Sequence, residues 1–193
     1  MPTEIDIIKR VLHGKVDAFR YFIDTYKDMA FTLAMGMIQD ESIAEDLVQT
    51  AFIKAFKNLK QFKMKSKFST WFYTIVVNEA RIHLRKNKGN VQRLDDENYH
   101  EPELHEENPA LLNLHRSDQK RIINNALHRL SPRENLLIRL YYQNENGIEE
   151  IQKITGFSAS NIKTGLHRAR QKFYRALTKE YKGEMTALSF FGG

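Results

Sequence analysis

No cysteine occurs in the 193 residues. That excludes a disulfide framework and any thiolate metal site, and it suits a reducing cytoplasm. Proline and glycine are scarce, at four and nine, so little in the chain forbids long helices. No stretch alternates apolar and polar residues with a period of two, the mark of a half-buried strand, and an all-α fold is expected. No run reaches the ~18 apolar residues of a membrane span, and Met1 to Lys9 lack the apolar core of a signal peptide. A cytoplasmic protein without membrane insertion is therefore expected. The seven histidines are scattered and form no His-Glu-x-x-His or comparable ligand set. Metal ligands, cofactors and catalytic residues are all expected to be none.

Acidic residues are also missing, but only in places. Between Asp46 and Glu79 there is none, while Lys54, Lys57, Lys60, Lys63, Lys65 and Lys67 all occur. Between Glu150 and Glu180 there is again none, against Lys153, Lys163, Arg168, Arg170, Lys172, Arg175 and Lys179. From Leu94 to Asn108 the sign reverses, with Asp95, Asp96, Glu97, Glu101, Glu103, Glu106 and Glu107 and no Lys or Arg. The net charge of +6 thus resolves into a basic, acidic, basic order. Two separate basic blocks suggest polyanionic partners, and 41% hydrophobic residues with 28% charged ones suit a folded chain.

Apolar residues recur at helical spacing from Asp17 to Met37, at Phe19, Phe22, Ile23, Tyr26, Met29, Ala30, Leu33 and Met37. A second helix is predicted from Ser42, which has capping-box spacing to Glu45. Its apolar face is Ala44, Leu47, Val48, Ala51, Ala55, Phe56 and Leu59. A third is predicted from near Ser69 to about Lys86. The stretch 89–115 holds Gly89, Pro102 and Pro109 without sustained periodicity. Beyond it a helix is expected from Asp118 to Leu130, and Ser131-Pro132-Arg133-Glu134 then supplies a cap, a first-turn proline and a capping-box glutamate. That helix runs to about Tyr142. A short one follows from Ile148 to Thr155, stopped by Gly156, and Ser158 caps a last helix to about Tyr181. The expected layout is a helical domain over 1–90, an acidic linker over 91–116, a second helical domain over 117–182 and a tail over 183–193.

A short helix, a glycine turn and a longer basic helix make a helix-turn-helix pattern. On the last helix Ile162, Leu166, Ala169 and Phe173 share one stripe, which would pack on Ile148, Ile151 and Phe157. The opposite side carries Ser160, Thr164, His167, Arg168, Gln171 and Arg175, with Asn161 and Lys163 flanking, suited to base edges and phosphates of duplex DNA. In the first half, the segment Lys60 to Tyr73 interleaves lysines with aromatics, a mixture suited to single-stranded nucleic acid. The third helix has a polar stripe of Thr70, Thr74, Asn78, Arg81, Arg85 and Lys88. Here Lys67, Phe68, Trp71, Thr74, Asn78, Arg81 and Arg85 are candidates for strand contact. Phe72 reads as core, Trp71 is open to either role, and Phe68 is the ring expected to be available. On the second helix Glu45, Asp46, Gln49 and Ile53, with Thr50, Lys54 and Lys57, form a face opposite the core that suits a protein partner.

Three stretches together resemble the extracytoplasmic-function sigma factors, the compact branch of the sigma-70 family. They are Ala44 to Phe52, Phe68-Ser69-Thr70-Trp71-Phe72 through Asn78 and Arg85, and Leu130 to Glu134 followed by Ile148 to Phe173 with Leu166-His167-Arg168-Ala169-Arg170. The resemblance implies that the first domain is region two, binding the coiled coil of the largest polymerase subunit through Glu45, Asp46, Gln49 and Ile53. It implies capture of a flipped base of the melted non-template minus-ten strand near Asn78, and reading of the duplex minus-thirty-five element by region four. It also implies core RNA polymerase and an anti-sigma factor as partners, and a linker that threads a path on polymerase later used by RNA.

One position departs from the family pattern. Many relatives carry arginine where this chain has Gly165. The helical wheel puts Gly165 on a flank of the last helix, where arginine would remove the glycine penalty of roughly 1 kcal/mol and add a cation near phosphate. Two rival readings are a polymerase-independent helix-turn-helix regulator, which leaves the Lys-aromatic block unexplained, and a DNA recombinase, which would need a larger mixed α/β nucleophile domain.

Overall fold

The computed structural model describes residues 3–87 and 116–191. They form helices joined by turns, and no strand occurs among the described residues. In order these are α1 (Glu4–Leu12), α2 (Arg20–Ile38), α3 (Glu41–Lys57), α4 (Phe68–Asn87), α5 (Arg116–His128), α6 (Pro132–Ile138), α7 (Ile148–Thr155) and α8 (Ala159–Phe191). The expected linker lies outside the described residues except for Arg116, which opens α5. Lys88, the last member of the polar stripe, also lies outside them.

Helix α1 was not foreseen. Thr3 and Asp6 form a reciprocal capping box, with Thr3 Oγ1 accepting from the Asp6 N–H at 3.2 Å and the Asp6 carboxylate accepting from the Thr3 N–H at 3.0 Å. Ile7, Ile8 and Val11 are buried beneath it, and the Tyr26 hydroxyl donates to Glu4. Helix α2 begins later than the periodicity suggested, because Val16–Phe19 winds as a 3-10 turn. Helix α3 is capped by Asp40 and not by Ser42, since Asp40 Oδ1 accepts from the Ile43 N–H at 3.0 Å. An extended residue just before the first turn is what a cap requires, and Asp40 has that backbone.

The second half follows the sequence signals closely. Ser131 and Glu134 form the capping box, with Pro132 in the first turn. Burial pushes the Glu134 carboxyl up, but bonds from Lys172 and from both Ser131 donors outweigh it and hold it below the usual value. Gly156 takes the left-handed conformation, φ 74°, that ends α7, and Ser158 Oγ accepts from the Asn161 N–H at 3.2 Å at the start of α8. Two details differ. The stretch Arg139–Gln143 is a π turn, and α8 continues to Phe191 instead of ending near Tyr181.

Phe22, Phe68, Phe72 and Tyr73 are fully buried at the heart of the first half. Phe22 stacks on Phe68 at 4.0 Å between ring centres, and Phe52 on Phe72 at 4.4 Å. The two halves share this core. Leu136, Leu137, Leu140, Ile151 and Ile154 belong to the same cluster of buried side chains as α2 and α4. Helix α6 lies against α2, and α7 against α4. The approach of α6 to α2 is close at Gly36, where a Cβ would fall 2.9 Å from Arg139 Nε and nearer still to Asn135 Oδ1. Both polar residues are buried but bonded: Arg139 Nε donates to Asn135 Oδ1 at 2.6 Å, and Asn135 Nδ2 donates to the Leu127 carbonyl at 2.7 Å.

The burial of Phe68 corrects the expectation that its ring is available to a base. It begins α4 instead of sitting in a loop before it, and its stacking on Phe22 leaves it 1% exposed. Phe68→Ala should lower the unfolding free energy by about 3–5 kcal/mol, read from the urea midpoint at constant slope. An unchanged midpoint would return Phe68 to the surface.

Candidate partner and nucleic-acid interfaces

Three faces carry the candidate residues. The first is the side of α3 turned from the core. Glu45, Asp46, Gln49 and Ile53 are all exposed, Ile53 to 49%. They line one wall of a groove whose other wall is α2 and the 3-10 turn before it. Its floor is apolar, with Phe19, Ile23, Phe31, Phe52 and Phe56, and Asp17, Asp24, Asp28, Glu45 and Asp46 make an acidic rim, joined by Arg20 and Lys27. Ile23 and Phe56 had been placed on packed stripes, yet both open onto this groove. Phe22 and Ile23 are neighbours in sequence and so lie about 100° apart on a helix, which was the available sign that one of them faces elsewhere.

The second face belongs to α4. Asn78 and Arg85 are exposed and Trp71 is half-buried, its ring 5.1 Å from that of Phe62. Thr70, from the same stripe, is buried. Lys67 and Arg81 are engaged by α7, and Thr74 lies beside it. Lys67 Nζ pairs with Glu150 at 2.9 Å and Arg81 Nη2 donates to the Thr155 carbonyl at 2.8 Å, while the Thr74 hydroxyl donates to the Thr70 carbonyl of its own helix at 2.9 Å and lies 3.4 Å from the Lys153 carbonyl. The Arg81 guanidinium also lies over the Phe157 ring, whose centre is 5.1 Å away, while Arg133 lies over the same ring at 4.6 Å. The Lys67 ammonium holds the Glu150 carboxyl below its usual value. Burial, then the charges of Arg85 and Arg133, shift the Arg81 guanidinium down, although arginine keeps its charge at physiological pH.

The third face is on α8. Ile162, Leu166 and Ala169 are buried and Phe173 is half-buried, so the predicted stripe does pack inward. Ser160, Asn161, Lys163, Thr164 and His167 are exposed, and Arg168 and Gln171 are half-buried. Gln171 Nε2 and His167 Nε2 lie 3.2 Å apart. This face keeps polar and cationic groups together at the start of a helix, the arrangement that suits a DNA groove. Gly165 is not on an open flank: a Cβ there would fall 2.6 Å from Cδ1 of the fully buried Leu137. It marks a close approach of α8 to α6, and the expectation that arginine would fit without cost is corrected.

Among the described residues no three His, Asp or Glu side chains converge as metal ligands, and no helix is long and apolar enough to cross a membrane.

Residues 22–89 match the family profile Sigma-70 region 2, and residues 120–173 match Sigma-70, region 4. The chain is similar to ECF RNA polymerase sigma factor SigW of Bacillus subtilis, 31% identical over 182 residues that cover 88% of this chain and 94% of that protein. It is also similar to RNA polymerase sigma factor SigV of Bacillus subtilis, 30% identical over 82% of this chain and 90% of that protein. Among solved structures it resembles the sigma factor RpoE from Bartonella quintana, in complex with the anti-sigma factor NepR. That match has a TM-score of 0.61 and 26% identity, over 83% of this chain and 96% of that one.

Gly165→Ala should lower stability. The helix gain of ~1 kcal/mol is set against an overpacking cost of ~1–3 kcal/mol at Leu137. In a Leu137→Ala background, where the space is vacant, the same change should raise stability. Urea midpoints of the four proteins check this, and a gain in both backgrounds would mean that α8 does not press on Leu137.

Proposed function

The chain belongs to the extracytoplasmic-function branch of the sigma-70 family and is a promoter-specificity factor of RNA polymerase, and from that premise we propose how its three faces divide the work. The groove between α2 and α3 receives the polymerase, with Glu45, Asp46, Gln49 and Ile53 as the contacting wall. Its acidic rim and apolar floor suit a helical partner whose own face is apolar with basic flanks. Helix α4 takes the melted non-template strand at the minus-ten element. Asn78 supplies an amide for a base edge, Trp71 an aromatic surface, and Lys67, Thr74, Arg81 and Arg85 backbone contacts. Helix α8 reads the minus-thirty-five duplex through Ser160, Asn161, Lys163, Thr164, His167, Arg168 and Gln171.

One observation carries this reading: regions two and four are matched in one chain, in that order, and nearly the full length of SigW is covered. A polymerase-independent regulator would leave residues 22–89 without a role. The chain contributes no chemistry of its own, because phosphodiester synthesis belongs to the polymerase. It works in the cytoplasm, where the polymerase is. An anti-sigma factor is a further partner, supported by the complex of the Bartonella quintana relative with NepR.

Run-off transcription with core polymerase tests the reading, with transcript ends sequenced. Discrete starts that need this chain are expected, and transcripts unchanged by omitting it would overturn the assignment. In the same assay Asp46→Lys combined with Gln49→Ala should weaken affinity for core at least tenfold while the circular dichroism of the free protein stays the same. Asn78→Ala should impair promoter opening more than recruitment, and should still impair activity on a template whose minus-ten strand is already unpaired. Equal activity of Asn78→Ala and wild type on both templates would remove Asn78 from the strand site.

A further inference from the structure

Phe157 sits in the turn between α7 and α8, and two guanidinium groups lie over its ring. Arg81 of α4 has its central carbon 5.1 Å from the ring centre, and Arg133, in the first turn of α6, has its own at 4.6 Å. Arg85 stands one helical turn beyond Arg81 on the same face of α4 and is exposed. Three cations from two elements far apart in sequence thus gather at one ring. The ring attracts each of them but does nothing to their mutual repulsion. Burial, then the charges of Arg85 and Arg133, hold the Arg81 guanidinium below its usual value, and no carboxylate is among the described groups that act on it.

Arg81 gives one N–H to the Thr155 carbonyl at 2.8 Å. A ring engages the flat face of a guanidinium, while its N–H donors point outward in the plane of the fork. That geometry grips phosphate oxygens two at a time. We infer that Arg81, Arg85 and Arg133 form a binding site for a compact polyphosphate anion, either pyrophosphate or the diphosphate group of a nucleotide. A single carboxylate would leave most of the positive charge unmatched. A diphosphate carries several oxygens in one short unit, and so can bridge guanidiniums that converge on one ring. A nucleic-acid backbone spreads its charges along a line, which suits Arg81 and Arg85 on α4, but Arg133 belongs to another helix and does not continue that line. Neither the polymerase face nor either promoter face uses Arg133, and the anion accounts for its place beside two like charges. Because the cations come from α4 and α6, the bound anion stabilises the contact of these helices by mass action.

Calorimetric titration of the full chain with sodium pyrophosphate, in phosphate-free buffer, tests the site. Saturable binding is expected, stronger than that of inorganic phosphate. Arg133→Gln leaves every residue of the polymerase and promoter faces in place, and should weaken pyrophosphate binding about tenfold through loss of one charge-assisted bond. Lys120→Gln removes the same charge from an exposed position of α5 and should leave that binding unchanged. A mixed-sequence single-stranded oligonucleotide distinguishes the source of the phosphate, and its affinity should fall no further in Arg133→Gln than in Lys120→Gln. Absence of saturable pyrophosphate binding, or equal weakening by the two variants, overturns the site. Oligonucleotide affinity that falls in Arg133→Gln while pyrophosphate affinity does not would give the arginines to a nucleic-acid backbone and overturn the compact ligand. If Arg133→Gln does not fold by circular dichroism, Arg133→Lys takes its place. It keeps the charge and loses the fork, and pyrophosphate should still bind it more weakly than the parent.

Discussion

Phe22, Phe68 and Phe72 lie ring against ring between α2 and α4, and among the described residues no strand or disulfide shares the task of holding this half together. Each such ring removes some 150–250 Å² from water, so the seam fixes how α4 is rotated. With Phe68, Phe72, Tyr73, Val76, Val77 and Ala80 buried, Lys67, Thr74, Asn78, Arg81 and Arg85 have nowhere to go but the far side. Helix α3 closes the seam with Phe52, and that choice turns Glu45, Asp46, Gln49 and Ile53 outward in turn. The outer faces are therefore set by what the core must hide.

Local chemistry made the second half legible. Ser131 with Glu134, Gly156 and Ser158 each satisfy particular backbone groups at a helix end, and such signals need no knowledge of the rest of the fold. Rotation about α8 was legible as well, because its apolar stripe is narrow. The misses share a different cause. Phe68 and Gly165 could be judged only by knowing what packs on them, Phe22 in one case and Leu137 in the other. Asp40 and Ser42 are both sound caps, and the choice between them depends on where the turn after α2 places an extended residue. The Thr3 and Asp6 box is itself a local signal, but the helix it opens is short and its apolar residues are few. Contact between the halves, at Gly36 and along Lys67, Thr74 and Arg81, joins residues far apart in sequence, and no periodicity reports that.

A chain of net charge +6 must bring its basic blocks together without repulsion undoing the fold. It does so by placing single acids where cations crowd. Glu150 meets Lys67, Glu134 meets Lys172, Glu79 meets Lys54 and Glu180 meets Arg129. In each pair the acid is largely covered and the cation about half-exposed or more, so the pair fixes the orientation of the cation's stem. Arg81 is handled differently, between a helix end and the Phe157 ring, which costs no second charge.

The bond from Arg81 to the Thr155 carbonyl spans 74 residues of sequence. A ribosome adds about 5–20 residues each second, so Arg81 is made roughly 4–15 s before Thr155. During that interval Lys67 and Arg81 exist without the helix that meets them. Order of synthesis thus gives a partner of Lys67 and Arg81 an interval before Glu150 and Thr155 exist.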